Sequence, residues 1–439
     1  MQSLARRIVA AAEVMPFARP VGAVHAVGPS GIEVAGLSRW LRLGSLVEVA
    51  TSRGAELAEV IRLDRDIAQC KPYDARAAVA LSDAVYPRGE LMFHPDSSWR
   101  GRIIDALARP ADGGGALRQG PGSVGVSAAP PMAMARRVVS QGVRTGVRVL
   151  DCFTPICLGQ RIGIFAGSGV GKSTLLSMIA RAQAFDCVVV ALVGERGREV
   201  REFVEHTLGD AAGSAITIVA TGDESPMMRR LAPQLATSLA EHFRDAGQNV
   251  LLVMDSVTRY AHACREVALS AGEPPVARGY PPSVFSDLPQ LLERAGPGAD
   301  GQGTITGIYA VLVDGDDHND PVADTVRGTL DGHVVLDRTI GEQGRYPAVN
   351  ILTSLSRLAQ RVWTADQARA VQELKRLVAR FEDTRDLRAM GGYVAGADTE
   401  LDRAIEVVPK LYRILDQSAA DPVSADPFRE IAAGLSGGL

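Results

Sequence analysis

Hydrophobic residues follow three successive patterns along the chain, and each pattern predicts a different kind of structure. From about Val21 to His94, short runs of Val, Ile and Leu are broken every few residues by Gly, Pro or Ser, as in "VGAVHAVGPSGIEVAGL" and "GSLVEVA". Short apolar runs bounded by turn residues are typical of antiparallel strands. This part of the chain is therefore predicted to form a small β-barrel or sandwich.

From roughly Arg137 to Val362 the apolar runs are continuous and alternate with helical stretches. A strand that is buried on both faces has no polar side, so this pattern indicates a mainly parallel sheet covered by helices. The predicted strands are "RIGIFAG", "DCVVVALVG", "AITIVAT", "NVLLVMD" and "TGIYAVLVDG". The Gly- and Pro-rich stretch between Arg109 and Pro131 is predicted to be a connecting loop.

After Thr364 the pattern becomes helical. One apolar stripe consists of Val371, Leu374, Val378 and Phe381, and a further helix is predicted from Leu401 to Leu415. We therefore predict four parts: an N-terminal segment of residues 1–20, a β-barrel domain of residues 21–95, an α/β core of residues 96–362 and a C-terminal helical domain of residues 363–439.

Residues 1–20 carry apolar side chains at helical spacing, and Glu13 interrupts the apolar stretch too early for a secretory signal. Two interpretations stay open at this point. One is an amphipathic helix that docks a partner or a lipid surface, and the other is a terminal helix that frays. The spaced apolar residues are Leu4, Ile8, Ala12 and Met15.

Composition narrows the class of protein. A chain of 439 residues with 46% hydrophobic residues is long enough for two or three domains with large cores. The net charge of -4 gives no overall field for holding nucleic acid. Five cysteines without a CxxC pair are predicted to be reduced and structural, and no apolar run approaches the roughly 18 residues that span a bilayer.

The strongest chemical signal is "IFAGSGVGKSTLL", in which a glycine-rich turn joins a predicted strand to a predicted helix. Such a turn aims backbone N–H groups at phosphate oxygens, and the helix N-terminus adds positive potential. Lys172 is expected to contact the β- and γ-phosphates, and the Ser173 hydroxyl to ligate Mg²⁺. Ala166 replaces the motif's usual first glycine, a small departure. The nucleotide-binding residues are predicted to be Gly167, Ser168, Gly169, Val170, Gly171, Lys172, Ser173 and Thr174.

Two carboxylates follow strands that are expected to end at the same edge of the sheet. Asp255 closes "NVLLVMD", and an acid in this place orients Mg²⁺ through its waters. Glu195 follows "VVVALVG" and is placed to polarise the water that attacks the γ-phosphate. From spacing alone, Glu195 is equally well a solvated loop acid.

The chain also contains four long motifs, "GERGREV", "RGYPPSVFSDLPQLLERAG", "VLVDGDDHNDPVADTVRGTLDGHVVLDR" and "GRYPAVNILTSLSRL". Together these motifs resemble those of the flagellar type III protein-export ATPases. That family is related to the α and β subunits of the rotary ATP synthase. The resemblance implies an N-terminal β-barrel, a RecA-like P-loop core with a mainly parallel sheet, and a C-terminal helical domain.

The resemblance also implies roles for individual residues. Glu195 matches the family's catalytic glutamate, and Arg357 in "SLSR" matches the arginine finger that reaches the neighbouring subunit's ATP. Tyr346 in "RYPAVN" matches the aromatic residue that stacks on adenine. Arg196 is also predicted to be catalytic, because it follows Glu195 in the same loop, where a neighbouring ion pair can steady the carboxylate. Tyr393 in "GGYVAG" is either the other side of the adenine pocket or a structural residue.

An arginine finger that acts in trans requires neighbouring subunits, so the resemblance implies a homohexamer. It also implies a location in the cytoplasm, at the cytoplasmic face of the flagellar export apparatus. In the implied ring, the loop at Arg278–Pro282 faces the central pore. The implied partners are a central stalk subunit, a stator-like regulator on the N-terminal segment, export chaperones with their cargo, and the export gate. A peripheral membrane contact stays open, and no nucleic acid is expected.

Four functions are open to a chain with these motifs. The favoured one is ATP hydrolysis coupled to flagellar protein export, and the second is an injectisome secretion ATPase or the catalytic subunit of a rotary synthase. A subunit that holds nucleotide without turning it over is disfavoured by Glu195, since the synthase α subunit has Gln there. A hexameric RNA translocase is disfavoured because aromatic residues make up only 5% of the chain and none cluster in the N-terminal domain.

Overall fold

A computed structural model of the chain describes residues 19–167, 169–313 and 320–436, apart from the side chains of Ala133 and Asp210. Residues 1–18, which carry the predicted N-terminal helix, and Ser168 of the phosphate loop lie outside the described residues. The chain divides into two compact units, one made of the chain up to Met92 with Glu224–Met228 and Ala263–Pro281, and the other of the remainder. The domain boundaries at residues 20, 95 and 362 stay predictions.

Six antiparallel strands of the first unit form a closed barrel, which confirms the predicted N-terminal β-barrel. Alternate side chains point inward, so that Val34, Val47 and Val85 are fully buried in its core. The strands pair in the order β1-β2-β5-β4-β3-β6. Their bounds are Gly22–Gly28 (β1), Gly31–Ala35 (β2), Leu46–Thr51 (β3), Gly54–Leu63 (β4), Ile67–Pro72 (β5) and Ala84–Gly89 (β6).

A nine-stranded sheet forms the centre of the second unit, and all its pairings are parallel except those of β16 and β19. The strands are Ile103–Asp105 (β8), Arg161–Ala166 (β12), Cys187–Val193 (β13), Ala215–Ala220 (β14), Asn249–Asp255 (β15), Gly296–Pro297 (β16), Thr304–Leu312 (β17), Gly332–Leu336 (β18) and Leu355–Ser356 (β19). Their order is β19-β18-β12-β17-β15-β13-β14-β8, with β16 beside β17. Shorter strands are Met92–Phe93 (β7), Val124–Gly125 (β9), Gly142–Val143 (β10) and Ile156–Cys157 (β11). The five predicted strands correspond to β12, β13, β14, β15 and β17, so the mainly parallel sheet is confirmed.

Helices accompany this sheet, and every residue of β13 and β14 is buried. Complete burial of a strand requires cover on both faces of the sheet. The helices are Arg148–Phe153 (α1), Lys172–Ala180 (α2), Gly197–Glu202 (α3), Pro226–Asp245 (α4), Val257–Ser270 (α5), Pro282–Glu293 (α6), Pro321–Thr329 (α7) and Arg338–Glu342 (α8). A π-helical turn, Phe203–Leu208, and a 3-10 turn, Gly209–Ser214, continue from α3.

The described residues after Thr364 contain four further helices, which confirms the predicted helical C-terminal part: Ala365–Asp383 (α9), Arg385–Ala389 (α10), Thr399–Leu415 (α11) and Pro427–Ser436 (α12). A capping box between Thr364 and Gln367 starts α9 by satisfying free N–H groups of its first turn. Val371 and Val378 of the predicted stripe are buried, and Leu374 and Phe381 pack beside them. The fold class is therefore confirmed in all three parts.

Every cysteine is a free, buried thiol, as predicted. Burial raises the pKa of the Cys157 thiol to about 11, which keeps it protonated near neutral pH. Over the part of the chain that the structure describes, we found no helix both long and apolar enough to cross a membrane.

Candidate active site

The phosphate loop connects β12 to α2 at the carboxyl end of the sheet. Gly169 and Gly171 have positive φ angles of 79° and 95°, conformations that side chains with a Cβ disfavour. Val170 is buried, whereas Ser173 and Thr174 are exposed at the start of α2. The first N–H groups of a helix have no partner within it, so this turn is suited to bind an anion.

The sheet order brings the two predicted carboxylates beside this loop. Strand β17 separates β12 from β15, and β13 follows β15. Asp255 ends β15 and lies level with Leu192 of β13, while Glu195 follows two residues after β13. Since parallel strands end at one edge, both carboxylates face the phosphate loop.

Lys172 lies between these acids. Its Nζ donates a hydrogen bond to Oδ1 of Asp255 and lies 4.0 Å from Oε1 of Glu195. All three side chains are largely buried, with 14%, 4% and 12% exposed for Lys172, Asp255 and Glu195. The structure therefore brings together the cation and both acids that the sequence predicts.

Burial is the main reason that the pKa of Glu195 is raised to about 7. When protonated, Glu195 donates a hydrogen bond to Glu199, and the negative charge of Asp255 acts in the same direction, whereas Lys172 and Arg259 oppose them. The same hydrogen bond holds the pKa of Glu199 below its usual range. A carboxylate that titrates near neutral pH is suited to accept a proton from water.

Arg259 is a site residue that the sequence analysis missed. Its Nη1 lies 2.8 Å from Oε1 of Glu195, as a close ion pair. The aliphatic part of Arg259 packs on Gly194, where a Cβ would lie 2.8 Å from its Cδ. Gly194 also has a φ of 68°, so two constraints favour glycine there. One feature of the sequence could have identified Arg259: it lies about one helical turn after Asp255, in the helix that starts beside that acid.

Arg196 lies at a more exposed place in the same cavity, and its catalytic role stays a prediction. Its side chain is 72% exposed, and its Nη1 lies 3.4 Å from Oε1 of Glu199. It lines the same cavity as Glu195, but among the described residues its side chain makes no hydrogen bond or ion pair with Lys172 or Asp255. The cavity has a volume of about 960 Å³, and its polar lining includes Lys172, Ser173, Thr174, Glu195, Arg196, Glu199, Asp255 and Arg259.

Tyr346 lies on the other side of the phosphate loop. A methyl group placed on Gly171 would be 3.7 Å from two carbons of its ring. The backbone of Tyr346 is held by the segment after α11, because its N–H donates to Oδ1 of Asp416 at 2.8 Å and its carbonyl accepts from the N–H of Gln417 at 2.7 Å. Tyr346 as a whole is 43% exposed, which leaves room for a planar ligand against its ring.

Tyr393 lies in the loop between α10 and α11, and its hydroxyl donates to Oδ1 of Asp402. It is absent from the described linings of both the phosphate-loop cavity and a cavity of about 230 Å³ that Tyr346 lines. Of the two interpretations left open for Tyr393, this geometry favours the structural one.

Arg357 lies at the opposite end of the sheet. Arg357 follows β19, and Ser356 of that strand pairs with Gly332 at the start of β18. At the other end of β18, Leu336 pairs with Ala166, which precedes the phosphate loop. Four residues of strand separate the two levels, or about 13 Å at roughly 3.3 Å per residue. Arg357 is therefore exposed at a level of the sheet away from its own phosphate loop.

The donor set fits Mg²⁺ only if phosphates and water complete it. Among the described residues no cluster of three or more His, Cys, Asp or Glu side chains is placed to hold a metal. Exposed Ser173 and the carboxylate of Asp255 offer hard oxygen donors beside the phosphate loop. Mg²⁺ usually keeps several waters and binds through few carboxylates and the substrate's phosphates, which agrees with so sparse a set.

We expect kcat/KM for Mg-ATP to increase as the pH rises through about 7, because only deprotonated Glu195 can accept a proton. The matched variant is Glu199→Gln, which removes the carboxylate that accepts from protonated Glu195 and should move the midpoint to lower pH. The titration of ATP itself is common to both proteins, so the difference between them reports Glu195. Identical midpoints in pH–rate profiles at saturating Mg²⁺ would contradict this account.

Two protein-family models match the chain. The nucleotide-binding domain of the ATP synthase alpha/beta family matches residues 146–356, which include the phosphate loop, Glu195, Asp255 and Tyr346. The C-terminal domain of the type III secretion ATPase EscN matches residues 363–431. The two matches thus divide between the sheet and the final helices.

Individual proteins resemble the chain over almost its whole length. The flagellum-specific ATP synthase of Rhizobium meliloti (strain 1021) is 56% identical over 416 residues, which cover 95% of this chain and 89% of the relative. The assembled ATPase EscN from the type III secretion system of enteropathogenic E. coli has 40% identity and a TM-score of 0.87, covering 94% of this chain and 99% of that one. EscN in complex with its central stalk EscO has 39% sequence identity to this chain and a TM-score of 0.84, and the match covers 94% of this chain and 99% of that one.

Proposed function

This chain belongs to the ATP synthase alpha/beta family, in the branch of the flagellar and type III secretion ATPases, and from that premise we propose that it hydrolyses ATP to serve the export of flagellar proteins. It is a P-loop ATPase. The observation that carries the proposal is Glu195, a buried carboxylate with a raised pKa, held beside Lys172 and Arg259.

Flagellar export is favoured over the two alternatives by degree of likeness. Identity to the flagellum-specific relative is 56%, against 40% to the secretion ATPase EscN. The final helices match the secretion-ATPase domain, which argues against the catalytic subunit of a rotary synthase.

In the proposed reaction, the γ-phosphate of ATP diverts the ammonium of Lys172 from Asp255. Asp255, released from Lys172, and Ser173 would then be the residues that hold Mg²⁺ here, Asp255 through water and Ser173 by its hydroxyl. Bound Mg²⁺ would neutralise charge that develops on the phosphates. Glu195 accepts a proton from the attacking water as the water oxygen bonds to the γ-phosphorus and the bond from that phosphorus to the β,γ-bridging oxygen breaks, which releases ADP. Arg259, whose Nη1 lies 2.8 Å from Oε1 of Glu195, holds the carboxylate in position before the proton moves. Arg196 is assigned a secondary role at the cavity rim.

We further propose that the enzyme works as a homohexamer in which Arg357 completes the neighbouring subunit's site. The position of Arg357, at the other end of the sheet from its own phosphate loop, supports this arrangement. Tyr346 is proposed to stack on the adenine. The related EscN has been solved as an assembled ATPase in complex with its central stalk EscO, which supports a stalk partner for this chain.

The remaining partners are proposed from the family alone: a stator-like regulator, export chaperones with cargo, and the export gate. The proposed location is the cytoplasmic face of the flagellar export apparatus. The loop Arg278–Pro282, facing the pore, stays a prediction.

The test is the dependence of turnover on protein concentration. We expect specific Mg²⁺-ATPase activity to rise with the fraction of chain found in rings, because each site needs a neighbour's arginine. Activity and mass distribution are measured on the same samples, with and without a non-hydrolysable analogue. Constant specific activity from monomer to ring would refute catalysis across an interface, and absence of ATPase activity in assembled rings would refute the enzyme itself.

A further inference from the structure

The backbone of Arg357 is fixed by groups that the proposed reaction has not used. Its N–H donates a hydrogen bond to the carbonyl oxygen of Asp331 at 2.9 Å. Asp331 directly precedes β18 and Arg357 directly follows β19, so the residue just before β18 holds the residue just after β19.

Arg161, the first residue of β12, holds Asp331 in turn. Its Nε and Nη2 donate to the two carboxylate oxygens of Asp331 at 3.0 and 3.1 Å, a bidentate pair. Its backbone N–H donates to the same carboxylate at 3.0 Å, and its carbonyl oxygen accepts from the N–H of Asp331 at 2.9 Å. Four hydrogen bonds therefore leave Asp331 little freedom.

The side chain of Gln160 connects Asp331 to strand β19. Its side chain is fully buried, and its Nε2 donates to the carbonyl oxygen of Asp331 at 3.2 Å and to Oγ of Ser356 at 3.1 Å. Its Oε1 accepts from the N–H of Cys157 at 2.9 Å. A buried amide with all these bonds made is rigid, and breaking them would leave polar groups unpaired.

We propose that Gln160, Arg161 and Asp331 form a clamp that positions Arg357 for the ATP of the neighbouring subunit. None of the three lines the phosphate-loop cavity, so they are positioning residues that act through Arg357. An arginine on a frayed edge strand would sample many positions, and a misplacement of about 1 Å can lower a rate by about 10². The inference rests on the proposed role of Arg357 in trans.

The first test compares kinetics. Asp331→Asn and Arg161→Lys should each lower kcat about tenfold or more and leave KM for Mg-ATP within about twofold, because the finger acts in the transition state. Gln160→Met is a third variant in case one of these does not fold. Asp112→Asn is the matched control, since Arg102 and Asp112 form a similar bidentate pair beside β8 at the other edge of the sheet. Unchanged kcat in the folded clamp variants, or an equal loss in the control, would overturn the proposal.

A double variant separates positioning from general structure. Asp331→Asn combined with Arg357→Ala should be no slower than Arg357→Ala alone, since the clamp has nothing left to position. An additional loss of the same size as in the single variant would overturn the proposal.

Mixed rings separate the clamp from the function on which it rests. Asp331→Asn subunits mixed with Glu195→Gln subunits should recover activity, because each Glu195→Gln subunit brings an intact finger to an Asp331→Asn site. If Arg357→Ala mixtures recover activity and Asp331→Asn mixtures do not, the clamp is wrong and the finger in trans stands. If neither recovers in demonstrably mixed rings, the finger in trans is wrong.

Discussion

Replacing Glu195 with Gln is expected to leave Mg-ATP binding almost unchanged and to lower kcat by about 10² to 10⁴. The amide has the shape of the carboxylate but cannot accept the proton of the attacking water. Affinity should persist because Lys172 and the amides of the phosphate loop make the contacts with the triphosphate. Titration calorimetry with a non-hydrolysable analogue measures binding, and single-turnover hydrolysis measures chemistry.

The matched control for this substitution is Glu205→Gln. Glu205 lies in the π-helical turn that follows α3, pairs with Arg201 at 3.2 Å and is 55% exposed. Removing an exposed charge of this kind should leave turnover within about twofold, since exposed ion pairs are weak. Near-normal hydrolysis by Glu195→Gln would remove Glu195 from its assigned role.

Arg357→Ala should lower kcat by about 10³ to 10⁵, which corresponds to about 4 to 7 kcal/mol of transition-state stabilisation. The guanidinium would spread its donors over oxygens of the transferring phosphoryl group, where charge develops. Binding of Mg-ATP should change much less, because the finger contributes chiefly in the transition state. Ring formation, followed by light scattering, should persist.

Mixing Arg357→Ala with Glu195→Gln subunits tests where the finger acts. Each subunit type is inactive alone, yet a mixed ring contains interfaces at which an intact Glu195 meets an intact Arg357. Activity should therefore appear on mixing and reach a maximum at intermediate ratios. The control is Arg357→Ala mixed with Arg357→Ala/Glu195→Gln, which contains no intact finger and should stay inactive.

The parts of the fold set by local pattern were predictable from sequence. Fully buried runs such as "VVVALV" specify interior strands of a parallel sheet, and the glycine-rich turn before Lys172 specifies an anion site. Short edge strands carry too few residues for such a pattern, and β19 has only two. Its function in holding Arg357 is visible only once its pairing with β18 is known.

Contacts between distant residues were not predictable. Arg259 and Glu195 are 64 positions apart, and nothing in the local sequence says that the arginine at the start of α5 turns toward that acid. Arg357 was assigned a role by family resemblance alone, because an exposed arginine is ordinarily solvated. Likewise, Ala263–Pro281 belongs to the same compact unit as the barrel although it is far from the barrel along the chain. A single boundary along the sequence cannot describe a unit made of separate segments.

Strand β12 has a phosphate loop at one end and Arg161 at the other, six residues or about 20 Å away. In the proposed hexamer, one short rigid segment thus joins the place where a subunit senses its own nucleotide to the arm that it extends to the next subunit. Because subunits in a ring make head-to-tail contacts, this connection has the same direction at every interface. ATP binding in one subunit would therefore be coupled to the position of the arginine that the same subunit presents to its neighbour. Each nucleotide site would thus be linked to both adjacent subunits, to one by the arginine that it helps to position and to the other by the arginine that it receives.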